Sequence, residues 1–274
     1  MKIACLSGKG GAGKTFVAVN LAAAAEKCTY IDCDVEEPNG RLFFKPEDIQ
    51  TEVVSTLLPK FDGLKCNGCK ECVTFCKFNA LAYIKEKPMI FSEICHSCGG
   101  CKIVCKEGAI SEIEKPVGVI EIGYHDNVKV ITGVLNTGEA SGVSVIKKAL
   151  EHISEITILD SPPGSACSVM ETIMDVDYCV LVTEPTAFGL HDLKMVYELV
   201  TLLGKPCGIV INKETETYIP LENFCKEKNI SILQRIPYNS MFAKYISEGE
   251  IIVENIPSEK SHFLNILKEI GGSL

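Results

Sequence analysis

Arginine is nearly missing from this chain: Arg41 and Arg235 are the two that occur, against 36 acidic residues and a formal net charge of −9. An arginine finger supplied by the chain itself is therefore a thin prospect. The acidic balance lacks the basic footprint of a nucleic-acid binder, so no nucleic-acid partner is expected. No apolar run reaches the length of a membrane span, so no membrane association is expected either. The chain enters an apolar run at Lys2 without a charged leader, an apolar core and a cleavage site, and a cytoplasmic location is the expectation. In that setting a disulfide framework is a poor account of the 15 cysteines, because such frameworks belong to small secreted domains.

What is present begins at Gly8-Lys9-Gly10-Gly11-Ala12-Gly13-Lys14-Thr15. An apolar run, Lys2 to Leu6, precedes it and a helical pattern, Phe16 to Ala25, follows. Strand, glycine loop, helix is the context of a phosphate-binding loop. Glycines let successive N–H groups turn toward phosphate oxygens, and the helix adds its positive end. Lys14 can reach the terminal phosphates, and the Thr15 hydroxyl can hold Mg²⁺. Gly8, Gly10 and Gly13 also spell a dinucleotide fingerprint, with Asp32 and Asp34 where a ribose-binding acid would lie. Lys14-Thr15 decides against it, because a dinucleotide fold needs no lysine there.

Two acidic stretches follow strand-like runs. Asp32-Cys33-Asp34-Val35-Glu36-Glu37-Pro38-Asn39 comes after Cys28 to Asp32, and Asp160-Ser161-Pro162-Pro163-Gly164 after Ile153 to Leu159. Parallel sheets place ligands at the carboxyl ends of their strands. Asp34 is expected to orient the attacking water or reach Mg²⁺ through water, with Asp32 in the same ion shell. Asp160 is expected as the second metal-shell acid, and Gly164 as an N–H donor near the terminal phosphate.

Composition changes abruptly over residues 64–110. Cys66-x2-Cys69-x2-Cys72-x3-Cys76 is followed by Asn79-Ala80-Leu81, and Cys95-x2-Cys98-x2-Cys101-x3-Cys105 by Gly108-Ala109-Ile110. Each run has the bacterial ferredoxin spacing, in which the fourth cysteine ligates the other cluster. One [4Fe–4S] cluster is thus expected on Cys66, Cys69, Cys72 and Cys105. The second is expected on Cys95, Cys98, Cys101 and Cys76. The usual proline after the fourth cysteine is replaced by Lys77 and Lys106, which removes no ligand. Paired Cys-x2-Cys units also make zinc knuckles, but two four-cysteine runs are far more specific.

Elsewhere the sequence alternates strand and helix patterns. Thr51 to Leu58 reads as helix or strand, and Pro59 to Gly63 as a junction. Val117 to Ile122 and Val128 to Ile131 read as a hairpin with Asp126-Asn127 at its tip, and Thr132 to Gly142 as a loop. Helices are expected over residues 144–152, 190–203, 221–228 and 259–270, the last capped by Ser258. Strands are expected over residues 179–183, 207–211 and 230–236. Asn212, Pro237 and Tyr238 follow two of those strands, where an adenine edge would lie. The pattern implies an α/β fold with a mostly parallel sheet flanked by helices. Residues 1–60 and 111–274 would form it, with residues 61–110 inserted as a small ferredoxin-like domain.

Taken together, these motifs resemble the P-loop ATPases of the MinD, ParA and nitrogenase iron-protein superfamily, and more narrowly those with an inserted two-cluster ferredoxin domain. The resemblance covers essentially the whole chain. It implies ATP and ADP with Mg²⁺ as ligands, and a homodimer in the ATP-bound state. Lys9 corresponds to the signature lysine that reaches the partner's nucleotide. Asp32 to Asn39 and Asp160 to Gly164 correspond to the two switches, and Asn212 with Pro237-Tyr238 to the adenine contacts. Lys9, Lys14, Asp34 and Asp160 are the expected catalytic set. Cys167 lies seven residues beyond Asp160, as a cluster ligand of the nitrogenase iron protein does, but no second cysteine stands between the insert and Asp160 to complete that cluster. A Cys-x-x-Cys pair of the cluster-carrier branch is also missing after Cys105. The leading expectation is ATP hydrolysis coupled to low-potential electron delivery to an acceptor protein. Delivery of clusters or a metal to a client enzyme, and redox sensing by a regulatory ATPase, are the alternatives.

Overall fold

A computed structural model describes residues 1–85 and 87–273. Its first strand, β1 (Lys2–Leu6), is apolar and almost wholly buried. The loop that leaves it ends at Gly13, whose φ of 91° is open to glycine, and α1 (Lys14–Ala25) begins there. This alanine- and valine-rich helix is buried along most of its length between the sheet and the C-terminal helices. Next come β2 (Cys28–Asp32), buried at every position, and the short α2 (Gly40–Phe44).

The stretch read as helix or strand is strand: β3 (Glu47–Phe61) runs straight through the expected junction. Its Thr51-Glu52-Val53-Val54-Ser55-Thr56 run, rich in β-branched residues, favours a pleated chain, and β6 (Ile110–His125) pairs with it antiparallel from Glu47 to Phe61. Between them lie α3 (Glu71–Phe75), β4 (Leu81–Ile84), β5 (Lys87–Ile90) and α4 (Gly100–Val104). The hairpin from β6 to β7 (Val128–Leu135) turns at Asp126-Asn127, as the alternation implies, with Asp126 at φ 49°. β7 is longer than the sequence suggests and absorbs Thr132 to Leu135 from the expected loop.

The remaining elements are α5 (Val143–Leu150), β8 (Thr157–Asp160), α6 (Cys167–Ile173), β9 (Tyr178–Thr183), α7 (Ala187–Leu202), β10 (Cys207–Glu214), α8 (Ile219–Lys228), β11 (Ile232–Pro237), α9 (Ser240–Ser247), α10 (Ile252–Asn255) and α11 (Pro257–Ser273). Ser258 lies inside the first turn of α11 and is not its cap, because Pro257 already starts the helix. Thr186 does cap α7, its hydroxyl oxygen accepting from the Gly189 N–H at 3.0 Å.

One nine-stranded sheet has the order β11-β10-β9-β1-β8-β2-β7-β6-β3. From β11 to β7 neighbours run parallel; β6 and β3 close the edge antiparallel. The core lies on both faces, one around Ile31, Leu159 and Leu181, the other around Val17, Tyr30 and Phe263. This is an α/β architecture with a mostly parallel sheet flanked by helices. Pairing of β6 with β7 ends at Gly118, so residues 110–116 of β6 have β3 alone as partner. A two-stranded ribbon therefore runs beyond the sheet and carries the cysteine-bearing segment at its tip.

Candidate functional site

The phosphate loop is tied from outside by its carbonyls. Ser7 O accepts from the Gly164 N–H at 2.9 Å, and Lys9 O from the Ser7 hydroxyl at 2.8 Å. Lys213 Nζ donates to Gly11 O at 2.7 Å, and Asn212 Nδ2 to Ala12 O at 2.9 Å. Among the described residues, none of the N–H groups from Gly8 to Gly13 donates to a protein acceptor. A peptide whose carbonyl turns out turns its N–H in, so the loop presents donors to its own hollow. Space supports this reading: a Cβ on Gly10 or Gly11 would meet nothing within 4 Å, whereas one on Gly8 would lie 2.3 Å from the Asp192 carbonyl oxygen.

The hollow opens into a cleft of about 720 Å³ lined by Gly10, Gly11, Gly13, Lys14, Thr15 and Asp34, with Leu42, Phe43 and residues 246–249 across from them. Those last two stretches carried no motif, and only the return of α2 and α9 to the loop reveals them. Of the residues assigned to adenine, Asn212 lines the cleft but spends its amide on the loop. Pro237 and Tyr238 are not in the cleft wall; Tyr238 is exposed, and its N–H donates to Glu214 O at 2.9 Å. The Gly164 N–H is likewise engaged, on Ser7.

Beneath the loop sits a buried charge cluster. Asp32 and Asp160 are register partners at the ends of β2 and β8. Lys14 Nζ donates to Asp160 Oδ1, and the Tyr30 hydroxyl donates to Asp160 Oδ2 at 3.0 Å. Asp32 accepts the N–H groups of Asp34 at 3.1 Å and Gly40 at 2.8 Å, which holds the following loop and the start of α2 to the end of β2. Burial pushes the Asp32 carboxyl up to about 8, and the charge of Asp160 adds to it while Lys14 opposes. Burial also lifts Asp34 to about 6, against the pull of Lys14. Burial alone would depress Lys14, but attraction and hydrogen bonding to Asp160 outweigh it and hold the ammonium above its ordinary range. Lys14 is thus charged and already paired. Lys9 points the other way: its Nζ lies 3.9 Å from Asp192 Oδ2 and 5.8 Å from the Phe188 ring centre. Cys167 opens α6 and is exposed.

At the ribbon tip the two cysteine runs repeat in backbone as well as in spacing. Gly68 and Ser97, Lys70 and Gly99, and Asn79 and Gly108 all take positive φ at matching places. Asn79 N–H donates to Cys76 O at 3.2 Å and Gly108 N–H to Cys105 O at 3.1 Å. Ala80 and Ala109 are both buried beneath. Cys76, Cys95, Cys98 and Cys101 ring a cavity of about 250 Å³, walled by Phe75, Phe78 and Leu81. Cys66, Cys69, Cys72 and Cys105 ring a tighter one of about 20 Å³, beside Phe61 and Tyr83. Each ring takes its fourth cysteine from the other run. Leu57, Pro59 and Glu112 of the ribbon form part of the larger cavity's wall. His96 stacks on Phe78, ring centres 3.8 Å apart, and is engaged there. Among the described residues, no group of three or more His, Cys, Asp or Glu is placed to hold a single metal ion.

Comparison with known proteins adds three kinds of likeness. The pattern of the CobQ/CobB/MinD/ParA nucleotide binding domain matches residues 3–252. An uncharacterized protein of Methanocaldococcus jannaschii is 32% identical over 78% of this chain and 78% of its own. An iron-sulfur cluster carrier protein of the same organism is 24% identical over 98% of this chain and 83% of its own. Among solved structures, the septum site-determining protein MinD of Pyrococcus horikoshii, complexed with Mg-ADP, superposes with a TM-score of 0.61 at 20% identity, covering 98% of this chain and 95% of its own. No helix among the described residues is long and apolar enough to cross a membrane.

Proposed function

The chain belongs to the CobQ/CobB/MinD/ParA nucleotide-binding family, and from that premise we propose an ATPase that dimerises around Mg²⁺-ATP and passes low-potential electrons to an acceptor protein. The electrons would travel through two [4Fe–4S] clusters held by residues 61–110, the inserted domain. The observation that carries the nucleotide half is the loop with its carbonyls tied outward and its N–H donors free.

Lys14 is paired with Asp160 beside this loop. Arriving phosphate oxygens would compete for the ammonium and leave the Asp160 carboxylate able to hold Mg²⁺. Thr15 lines the same cleft, and its hydroxyl would be the other protein group on that ion. Asp34, also in the cleft, orients the attacking water. Lys9 rests on Asp192 of its own chain, half exposed, and is free to swing to a partner's phosphates once a second copy docks. Loss of the terminal phosphate removes that tie, a way to turn hydrolysis into motion.

The iron–sulfur half rests on chemistry of the donor set. Each ring offers four thiolates, the usual complement for a cubane cluster. A single zinc ion lies about 2.3 Å from each sulfur; the ring of Cys76, Cys95, Cys98 and Cys101 encloses about 250 Å³, more room than one ion fills, whereas the ring of Cys66, Cys69, Cys72 and Cys105 encloses about 20 Å³ and its cluster rests on the cysteine spacing alone. When bound, the two clusters supply a pair of one-electron carriers. The chain's own residues seat them, wall them with Phe75, Phe78 and Leu81, and join them to the first switch. That join is one length of backbone: Asp32 holds Gly40, α2 follows, and β3 starts at Glu47 and reaches the cavity wall at Leu57.

Delivery of clusters to a client is a second reading, favoured by the relative named an iron-sulfur cluster carrier protein. The missing Cys-x-x-Cys after Cys105 weighs against it. One anaerobic experiment separates the two. Dithionite-reduced protein is mixed with a low-potential acceptor dye in the presence of ATP or ADP, and the Lys9→Ala variant is run beside it. Electron delivery requires faster acceptor reduction with ATP, no such gain for the variant, and iron that stays on the chain. Equal rates throughout sink the coupling, and iron leaving only with ATP selects the carrier reading.

A further inference from the structure

β10 keeps register with β9 from Cys207 to Ile211, but its pairing with β11 jumps from Ile211 to Glu214. The jump falls on Asn212 and Lys213, and Lys213 stands at φ 56°. Residues with side chains rarely adopt that region, and it persists where the surroundings enforce it. Consecutive side chains on a regular strand point to opposite faces. Here both point at one loop: Asn212 Nδ2 donates to Ala12 O at 2.9 Å and Lys213 Nζ to Gly11 O at 2.7 Å. Irregularities of this kind re-aim side chains beside functional sites. Lys213 Nζ also donates to Glu184 Oε1 at 2.7 Å, from the residue that follows β9. A Cβ on Gly11, at φ 88°, would meet nothing within 4 Å among the described residues beyond its chain neighbours.

We infer that Lys213, steadied by Glu184, is a positioning residue for the nucleotide's phosphates: it pins the Gly11 carbonyl outward so that the N–H groups beside it face the hollow. The inference rests on the nucleotide-site reading above. A loop fixed before the ligand arrives loses less freedom on binding, so the pin acts on affinity. The Lys213 ammonium has two acceptors in this structure, and its third N–H is open to the cleft that Lys213 helps to line. A direct phosphate contact by Lys213 is the rival role, and it predicts the opposite sign for one variant. Removing the Glu184 charge would free the ammonium to reach phosphate and tighten binding. In the pinning role the same change loosens the pin and weakens binding.

The test is calorimetric titration of the full chain with Mg²⁺-ATP and Mg²⁺-ADP, with steady-state ATPase rates and thermal midpoints beside it. Lys213→Gly should weaken both nucleotides about tenfold, the worth of one hydrogen bond from a charged donor. Its midpoint should not fall, because glycine relieves the left-handed backbone. The loss should appear in KM more than in kcat. Lys213→Arg should recover much of the affinity, and Glu184→Gln should weaken binding by about threefold, a smaller loss than that of a whole hydrogen bond. If Lys213→Gly does not fold, the last two variants decide. Unchanged affinity in the variants of a parent that binds ATP overturns the pin alone, as does tighter binding by Glu184→Gln. A parent that binds neither nucleotide overturns the pin together with the site reading.

Discussion

Lys14 and Asp160 form an ion pair inside the protein, with side chains 7% and 0% exposed, between the first turn of α1 and the last residue of β8. The pair joins the phosphate loop to the end of β8. Asp160 has no contact with water and keeps only the Tyr30 hydroxyl besides Lys14, so its charge depends on the ammonium.

Replacing Lys14 by Ala should therefore do two separate things. It strands Asp160 as an uncompensated buried charge, a loss of about 3–5 kcal/mol in comparable cases. It also abolishes ATP binding. Denaturant titration and calorimetry read the two effects independently. Asp160→Asn in the same background should recover part of the stability and none of the binding.

Asp32 gives the protein a pH dependence of definite sign. Its carboxyl is raised in the folded state from 3.8 to about 8, so the native chain binds a proton that the unfolded chain has released. The associated stability is fully present below pH 3.8, is lost as pH rises, and is gone above about 8. Asp34, raised to about 6, contributes a smaller fall that ends earlier. Denaturant midpoints measured from pH 5 to pH 9 should decline, and Asp32→Asn should flatten much of that decline. An unaltered slope in the variant would remove Asp32 as its source.

Gly8 is the close approach between the loop and α7. A Cβ there would lie 2.3 Å from the backbone oxygen of Asp192. Gly8→Ala should push loop and helix apart, cost about 1–3 kcal/mol of stability through overpacking, seen as a lower thermal midpoint, and weaken ATP binding. Gly10→Ala is the control, since its Cβ would meet nothing within 4 Å; its stability should stay near the parent's.

The crossed cysteine rings predict crossed phenotypes. Cys76 stands with Cys95, Cys98 and Cys101, and Cys105 with Cys66, Cys69 and Cys72. After anaerobic reconstitution the parent should hold about eight irons per chain, four per cluster. Cys76→Ser should perturb the paramagnetic signal of the cluster on Cys95, Cys98 and Cys101, and Cys105→Ser that of the cluster on Cys66, Cys69 and Cys72. Each variant should match a Cys→Ser change at Cys98 or Cys69 respectively. Loss of the same signal from both would contradict the crossing.

Much of the site was legible because its chemistry is local. Gly8 to Thr15 is a contiguous loop, and its flanking strand and helix announce themselves by apolar pattern. The hairpin at Asp126-Asn127 and the strand ends at Asp32 and Asp160 were readable for the same reason. What failed depended on partners far away in sequence. Thr51 to Leu58 had no decisive period of its own, and only β6 makes it a strand. Ser258 looked like a cap until Pro257 began the helix. The roles of Tyr30, Lys213 and residues 246–249 had no motif, because each acts through a neighbour more than a hundred residues away in the chain.

The amino-acid order by itself determined which chemistry the chain carries: a glycine loop ending in Lys14-Thr15, and eight cysteines at fixed intervals. Spacing along a backbone is enough to fix those, since each group lies within a turn or two of the next. Only the tertiary structure decided how they are arranged. It set Asp32 beside Asp160, turned Asn212 and Lys213 onto the loop, and hung the cysteine rings from a ribbon that α2 and β3 connect back to the end of β2. Those placements follow from strand order and register, which arise when distant segments bury their apolar faces together and which no short stretch encodes alone.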